Sequence, residues 1–194
     1  MKLVREMFGS KVVAVSDTRG GGVYSPKGGL DYAKLMEQKK KAGTVQGLAG
    51  TEDITNEELL ESEVDVLIPA AIENQITAKN ASKVKAKIVL ELANGPTTPE
   101  ADEILYRNKV LLLPDFLSNA GGVTVSYFEW VQNQTGGEYW TENEVYEKLD
   151  RKMTKSTHDV LDTANKYNVD PRTAAYIISV KRVADAMKAR GGWY

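Results

Sequence analysis

Four short apolar runs punctuate the chain, and each feeds into small or turn-forming residues. They are Lys11-Val12-Val13-Ala14-Val15-Ser16, Asp65-Val66-Leu67-Ile68, Lys87-Ile88-Val89-Leu90-Glu91-Leu92 and Val110-Leu111-Leu112-Leu113. Their continuous, partly β-branched character is that of strands buried on both faces. Between them the pattern turns helical. Leu3, Val4, Met7 and Phe8 share one helix face, with Gly9 placed to end it. A charged helix is expected from about Leu30 to Ala42, stopped by Gly43. Thr55-Asn56-Glu57-Glu58 has the form of a capping box, and the polar segment from Asn74 to Val84 reads as a further short helix. Thr98-Pro99-Glu100 signals the start of a helix running to about Asn108. From Gly122 onward the pattern is helical. Thr141 to Glu144 opens a long helix with Val145, Leu149, Met153, Val160 and Ala164 on one face. Asp170-Pro171 opens the last one, with Ile177, Val180, Ala184 and Met187 expected to face inward.

Connections of more than a dozen residues between the four runs suit crossovers better than hairpins, so the strands are expected to be parallel. Parallel strands place their C-terminal ends on one edge of the sheet. The segments SDTRGGG, PAAIEN, ANGPTTPE and PDFLSNAGG would then lie along one crevice, where open α/β sheets bind ligands. Small residues dominate all four, as a ligand approaching the backbone requires. The fourth segment continues into an aromatic run ending at Trp130 that is expected to be internal. The fold class is α/β, and the ligand is expected to be of nucleotide type.

The bulk properties narrow the partners. A net charge of −2 over 194 residues gives no reason to expect nucleic acid or an anionic membrane. No apolar run approaches the ~20 residues of a membrane span, and Met1-Lys2-Leu3 does not begin a signal peptide. The absence of cysteine excludes disulfides, thiol nucleophiles and Cys-ligated metals, and fits a cytoplasmic setting.

Several residues are candidates for chemistry. Asp17, directly after a strand, is placed like the acidic residue that accepts hydrogen bonds from the adenine ribose of a dinucleotide. The alternative is a turn aspartate that stabilises its own loop. In dinucleotide-binding units that acidic residue follows the phosphate-binding glycines by about 20 residues. Only sixteen residues precede Asp17 here, so a fragment is expected, with the first strand and the G-x-G-x-x-G turn upstream. Gly20-Gly21-Gly22 reads as a flexible turn. Asn94 and Asn119 each set an amide beside small residues at neighbouring strand ends, and an amide donates and accepts together. The alternative role for both is capping or turning the chain. Gly122, Val123 and Ser126 share a helix face, where Ser126 either meets a carboxylate or is a solvent serine. The lone His158 reads as a surface residue, and Lys39-Lys40-Lys41 as the basic end of a helix. Tyr127, Phe128 and Trp130 read as packing residues.

The segments VVAVSDTRGG, ITNEELLE, VDVLIPAAIENQIT, AKIVLELANGPTTPEADEIL, PDFLSNAGGVTVSYFEWVQN and RTAAYI together closely resemble hexameric glutamate dehydrogenases, most of all those of archaea and thermophilic bacteria. Leucine, phenylalanine and valine dehydrogenases share the architecture. The resemblance implies a Rossmann-like parallel sheet with flanking helices over residues 1–140, and C-terminal helices over 141–194 packing on it. It implies that Asp17 and Thr18, and with them Arg19, face the adenine ribose of NAD or NADP. Ala70 and Ala71 would line the cofactor groove, Asn94 and Asn119 would contact the nicotinamide, and Val123 and Ser126 would reach the substrate. The family reaction converts L-glutamate to 2-oxoglutarate and ammonia with hydride passed to the nicotinamide, in a homo-hexamer. Its catalytic lysine and aspartate come from an N-terminal domain, so this chain alone is expected to be inactive. The competing readings are a non-catalytic nucleotide-binding or assembly module, and a methyltransferase, which also places an acidic residue after its second strand.

Overall fold

The computed structural model describes residues 1–19, 21–25 and 27–192. Two compact units are present, one of residues 1–64 and 79–86, the other of residues 65–78 and 87 onward.

In the first unit, α1 (Lys2–Phe8) ends at Gly9, whose left-handed φ of 61° lets its N–H reach the Arg5 carbonyl, as the pattern predicts. The strands β1 (Ala14–Ser16), β2 (Gly21–Tyr24) and β3 (Glu52–Thr55) form an antiparallel sheet in the order β1-β2-β3. This corrects the expectation that the first apolar run joins the parallel sheet, because Ala14 pairs with Tyr24 and Ser16 with Gly22 across a tight hairpin. It also corrects the reading of the glycine triplet as a flexible turn. Gly21 and Gly22 are buried strand residues, while Gly20 lies outside the described residues. A Cβ on Gly22 would sit 2.8 Å from the Val15 carbonyl oxygen, so the glycine permits close strand approach. Helix α2 (Tyr32–Ala42) is capped by Asp31 and ended by Gly43 at φ 74°. Helix α3 (Asn56–Leu60) carries the complete Thr55–Glu58 capping box. Val23, Leu30, Leu35 and Val45 form the core of this unit.

The second unit holds the parallel sheet, β4 (Val66–Leu67), β5 (Ile88–Leu90) and β6 (Leu111–Leu113), in the order β4-β5-β6. Val66 pairs with Ile88 and Val89 with Leu112, and Val89 is fully buried. The helix expected over residues 74–84 is absent. Only a 3₁₀ turn, Ala81–Lys83, forms there, and it belongs to the first unit. The physical reason is competition: Asn74, at φ 54°, donates its N–H to Gly95, and Gln75 and Ile76 donate theirs to Pro96, which ties this strip to the β5 exit. Helix α4 (Pro99–Arg107) begins with the Thr98 cap and Pro99 as expected, and buries Ala101 and Leu105 completely. The short α5 (Asp115–Ser118) leads into α6 (Gly121–Gln134), α7 (Glu142–Tyr167) and α8 (Pro171–Ala189). Leu117, Val160, Ala164, Ala174 and Ala175 form the core among these helices.

Two packing expectations change. In α8 the buried positions are Pro171, Ala174 and Ala175, whereas Val180 is 63% exposed. Ala174 and Ala175 pack into the core with Leu117, Val160 and Ala164, whereas Ile177, Val180 and Val183 further along are left exposed. In α6 only Phe128 of the aromatic run is internal, while Tyr127 and Trp130 are more than half exposed. The architecture is nonetheless α/β, Rossmann-like, with flanking helices and a helical C-terminal segment. Among the described residues, no helix is long and apolar enough to cross a membrane.

Candidate active-site wall at the strand tips

The parallel strands of the second unit bring three predicted segments to one edge. The Pro69 carbonyl accepts the N–H groups of Leu92 and Ala93, each at 2.9 Å, which ties the exposed Ala70 and Ala71 to the tip of β5. One strand further, Asn119 donates from Nδ2 to Asn94 Oδ1 at 2.8 Å. The two candidate amides are therefore a bonded pair across adjacent strand tips. This bond leaves Asn94 with its amino donor and Asn119 with its carbonyl acceptor, a donor–acceptor edge complementary to a carboxamide.

The turn beneath the pair is held from both sides. Gly95, at φ 55°, donates its N–H to Asp115 Oδ2 at 2.8 Å and accepts the Asn74 N–H at 2.9 Å. A Cβ on Gly95 would meet nothing within 4 Å. Glycine is needed here for the backbone angle, and the space above it is open. Gly121 and Gly122 are also open, yet they sit in the first turn of α6 without positive φ. Nothing inside the unit demands glycine at either place, and each costs the helix roughly 0.5–1 kcal/mol relative to alanine. Gly122, Val123 and Ser126 line the same exposed face of α6, where Val123 is 70% exposed. Ser126 donates its hydroxyl back to the Gly122 carbonyl at 3.2 Å, which leaves its oxygen able to accept.

Asp17 and Thr18 belong to the first unit. Thr18 is exposed. Asp17 stabilises its own turn through one bond, the Arg19 N–H to Oδ1 at 3.0 Å, and is tied to the end of α2 through Oδ2, which accepts the Val45 N–H at 3.0 Å and the Lys39 ammonium at 2.5 Å. Burial pushes the Asp17 carboxyl up, but the Lys39 bond and the two backbone donors outweigh it and hold the group below the usual carboxylate range. Lys39 thus does more than complement the end of α2. With three of roughly four acceptor positions filled, the ionised carboxylate keeps room for one further donor on Oδ1. His158 is exposed, as expected.

Sequence reasoning missed the buried charge cluster beneath the tips. Glu91, fully buried at the end of β5, meets Arg172 Nη2 through both oxygens at 2.9 and 2.8 Å. Arg172 also donates Nε to Asp102 and Nη1 to Asp115. Burial pushes Asp102 above the usual carboxylate range despite Arg172, while the surrounding carboxylates hold Arg172 firmly protonated. The one available signal was Glu91 itself, a carboxylate inside the apolar run IVLELA. Away from the tips, an open groove of about 490 Å³ between α6 and α7 is lined by Tyr127, Trp140, Lys148 and Lys152, among others. Its ring faces are already covered, by Lys148 over Trp140 and Lys152 over Tyr127.

The family model described as Glutamate/Leucine/Phenylalanine/Valine dehydrogenase matches residues 1–191. A glutamate dehydrogenase of Thermotoga maritima is 55% identical over 189 residues, covering 97% of this chain and 45% of that protein. An NAD-specific glutamate dehydrogenase of Staphylococcus aureus is 50% identical over 184 residues, covering 95% and 44%. Among solved structures, the hetero-hexameric glutamate dehydrogenase from Thermus thermophilus superposes with a TM-score of 0.87 at 32% identity, covering 99% of this chain and 44% of that one. The enzyme from Peptoniphilus asaccharolyticus gives 0.76 at 41% identity, covering 97% and 43%. The chain spans less than half the length of the relatives it matches. Its motifs, its parallel sheet and these matches together place it in the glutamate/leucine/phenylalanine/valine dehydrogenase family.

Proposed function

We propose that this chain is the cofactor-binding portion of an NAD(P)-dependent glutamate dehydrogenase, with NAD as the preferred coenzyme. The observation that carries this reading is the Asn94–Asn119 pair, whose remaining donor and acceptor suit the nicotinamide carboxamide. The open glycines at 95, 121 and 122 support it, because they allow a ring to approach the backbone. Ala70 and Ala71 would line the cofactor groove on the β4 side. Val123 and Ser126 would face the substrate, the Ser126 hydroxyl exchanging its bond to the Gly122 carbonyl for one donated to a glutamate carboxylate. Asp17 and Thr18 would hold the adenine ribose, where an ionised Asp17 accepts a 2′-hydroxyl and repels a 2′-phosphate. The NAD-specific names of the Bacillus subtilis and Staphylococcus aureus relatives point the same way.

When bound, the nicotinamide would accept hydride from the α-carbon of L-glutamate on the way to 2-oxoglutarate and ammonia. This chain's residues would bind and orient, and would exclude water from one side of the site. None of the candidate residues is a general acid or base. The proton-transferring groups would come from the rest of the whole protein, which would assemble as a homo-hexamer, with residues 141–194 directed toward the substrate-binding part. Among the described residues no cluster of potential metal ligands stands near the tips. Incubating the purified chain with L-glutamate and NAD tests the division of labour: absorbance at the NADH band is expected to stay flat, and steady NADH formation would place an acid and base within this chain.

A further inference from the structure

We infer that Arg172 is a positioning residue for the nicotinamide pocket, acting through Asp115 on the Asn94–Asn119 pair. The inference rests on the reading of that pair given above. Arg172 stands in the first turn of α8, far from the pair in sequence, and touches neither amide. Its three donor edges divide among three elements. Nε goes to Asp102 on α4, Nη2 to Glu91 at the end of β5, and Nη1 to Asp115 at the start of α5.

Asp115 is where this network meets the candidate site. Its Oδ2 accepts the N–H of Gly95, the residue after Asn94, at 2.8 Å. Its main-chain carbonyl accepts the N–H of Asn119 at 2.8 Å. One residue therefore holds the backbone of both amide partners. Asp115 is in turn fixed at both ends: its N–H donates to Glu91 Oε2 at 2.9 Å, and its Oδ1 faces Arg172 Nη1 at 3.2 Å. Glu91 is fully buried and its own N–H binds the Leu113 carbonyl, so the anchor is part of the sheet. The guanidinium is suited to this task because it is planar, always charged and presents donors along separate edges. A lysine ammonium cannot meet three carboxylates on three elements in the same way.

A positioning role differs from a merely structural one because the arms of the cluster are not equivalent. Asp102 takes the Nε edge of Arg172 from α4, whereas Asp115 links the guanidinium to Gly95 and Asn119. Hydrogen exchange at the Gly95 amide and the side-chain amide signals of Asn94 and Asn119, read by NMR on the full chain, separate the two arms. Asp115→Ala is expected to speed Gly95 exchange about tenfold or more, from loss of a charge-assisted bond, and to shift both asparagine side-chain signals. Arg172→Lys is expected to shift the same signals. Asp102→Asn is expected to leave them in place even where it lowers the urea midpoint. Should Asp115→Ala fail to fold, Asp115→Asn gives the same reading with a smaller change in shape. Unchanged asparagine signals in the Asp115 and Arg172 variants, or equal shifts in Asp102→Asn, would overturn the inference. Titration with nicotinamide mononucleotide supplies the second readout, expected to weaken about tenfold in Asp115→Ala, the cost of roughly one misplaced hydrogen bond. Failure of the unmodified chain to bind this probe would refute the carboxamide reading, while the exchange data would still decide the positioning role of Arg172.

Discussion

Asp17 shows how a carboxylate can be bonded within its fold without exhausting its acceptor positions. It stabilises its own turn through Arg19, ties that turn to the end of α2 through Lys39 and Val45, and retains one acceptor position. An aspartate whose folded-state pKa is depressed adds stability above its unfolded pKa and loses it as the pH falls through the lowered folded value. Asp102 has the opposite sign. Burial raises its pKa, so its contribution is complete below the ordinary carboxylate range and is lost as the pH rises through the raised value. Acid unfolding of Asp17→Asn, followed by circular dichroism, should therefore be shallower than that of the unmodified chain below about pH 4. Superimposable acid limbs would show that the Lys39 contact contributes nothing. At this scale the pattern singles out Asp17 and Asn94 as candidates because each closely follows an apolar run, and Asn119 because it stands beside Ala120-Gly121-Gly122. The partners of Arg172 were not legible, because contacts joining residues 91, 102, 115 and 172 depend on tertiary packing that no local pattern encodes.

Elements with local signals formed where the sequence placed them. Both capping boxes, the Pro99 and Pro171 helix starts and the Gly9 and Gly43 stops act within a turn of the residues that carry them. The misreadings share another cause. The strand pairing of β1 and the non-helical strip at 74–76 are decided by backbone partners elsewhere in the chain, and Gly21 and Gly22 report a close strand approach that looks like a turn in one dimension. Helix α6 yields an expectation in which stability and function diverge. Gly122→Ala meets no atom within 4 Å and should stabilise the fold by about 0.5–1 kcal/mol in urea titration. The same methyl group should weaken binding of a nicotinamide probe, because it would fill the space that the open glycine leaves. A stabilised variant with undiminished binding would remove Gly122 from the site.

On the scale of the whole molecule, the feature that most shapes behaviour in solution is apolar surface. Leu3, Met7 and Phe8 on α1 are between 66% and 73% exposed, and α1 buries no residue. Val180 and Val183 on α8 and Tyr127 and Trp130 on α6 add further exposed area. Surfaces of this kind drive association, so light scattering should find self-association that grows with concentration, and a monodisperse monomer would argue otherwise. The family and the α/β class were legible in the sequence because long motifs stand in order along the chain. The direct bond between Asn94 and Asn119 needed the structure, since it joins side chains 25 residues apart. That bond is also where the account is most exposed to test. Nitrogen-15 NMR of the chain during titration with nicotinamide mononucleotide should move the side-chain amides of Asn94 and Asn119 and the backbone amides of Gly95 and Gly121–Val123 together. Shifts confined to the α6–α7 groove, or no saturable shift at the strand tips, would contradict the assignment of these tips as the nicotinamide wall.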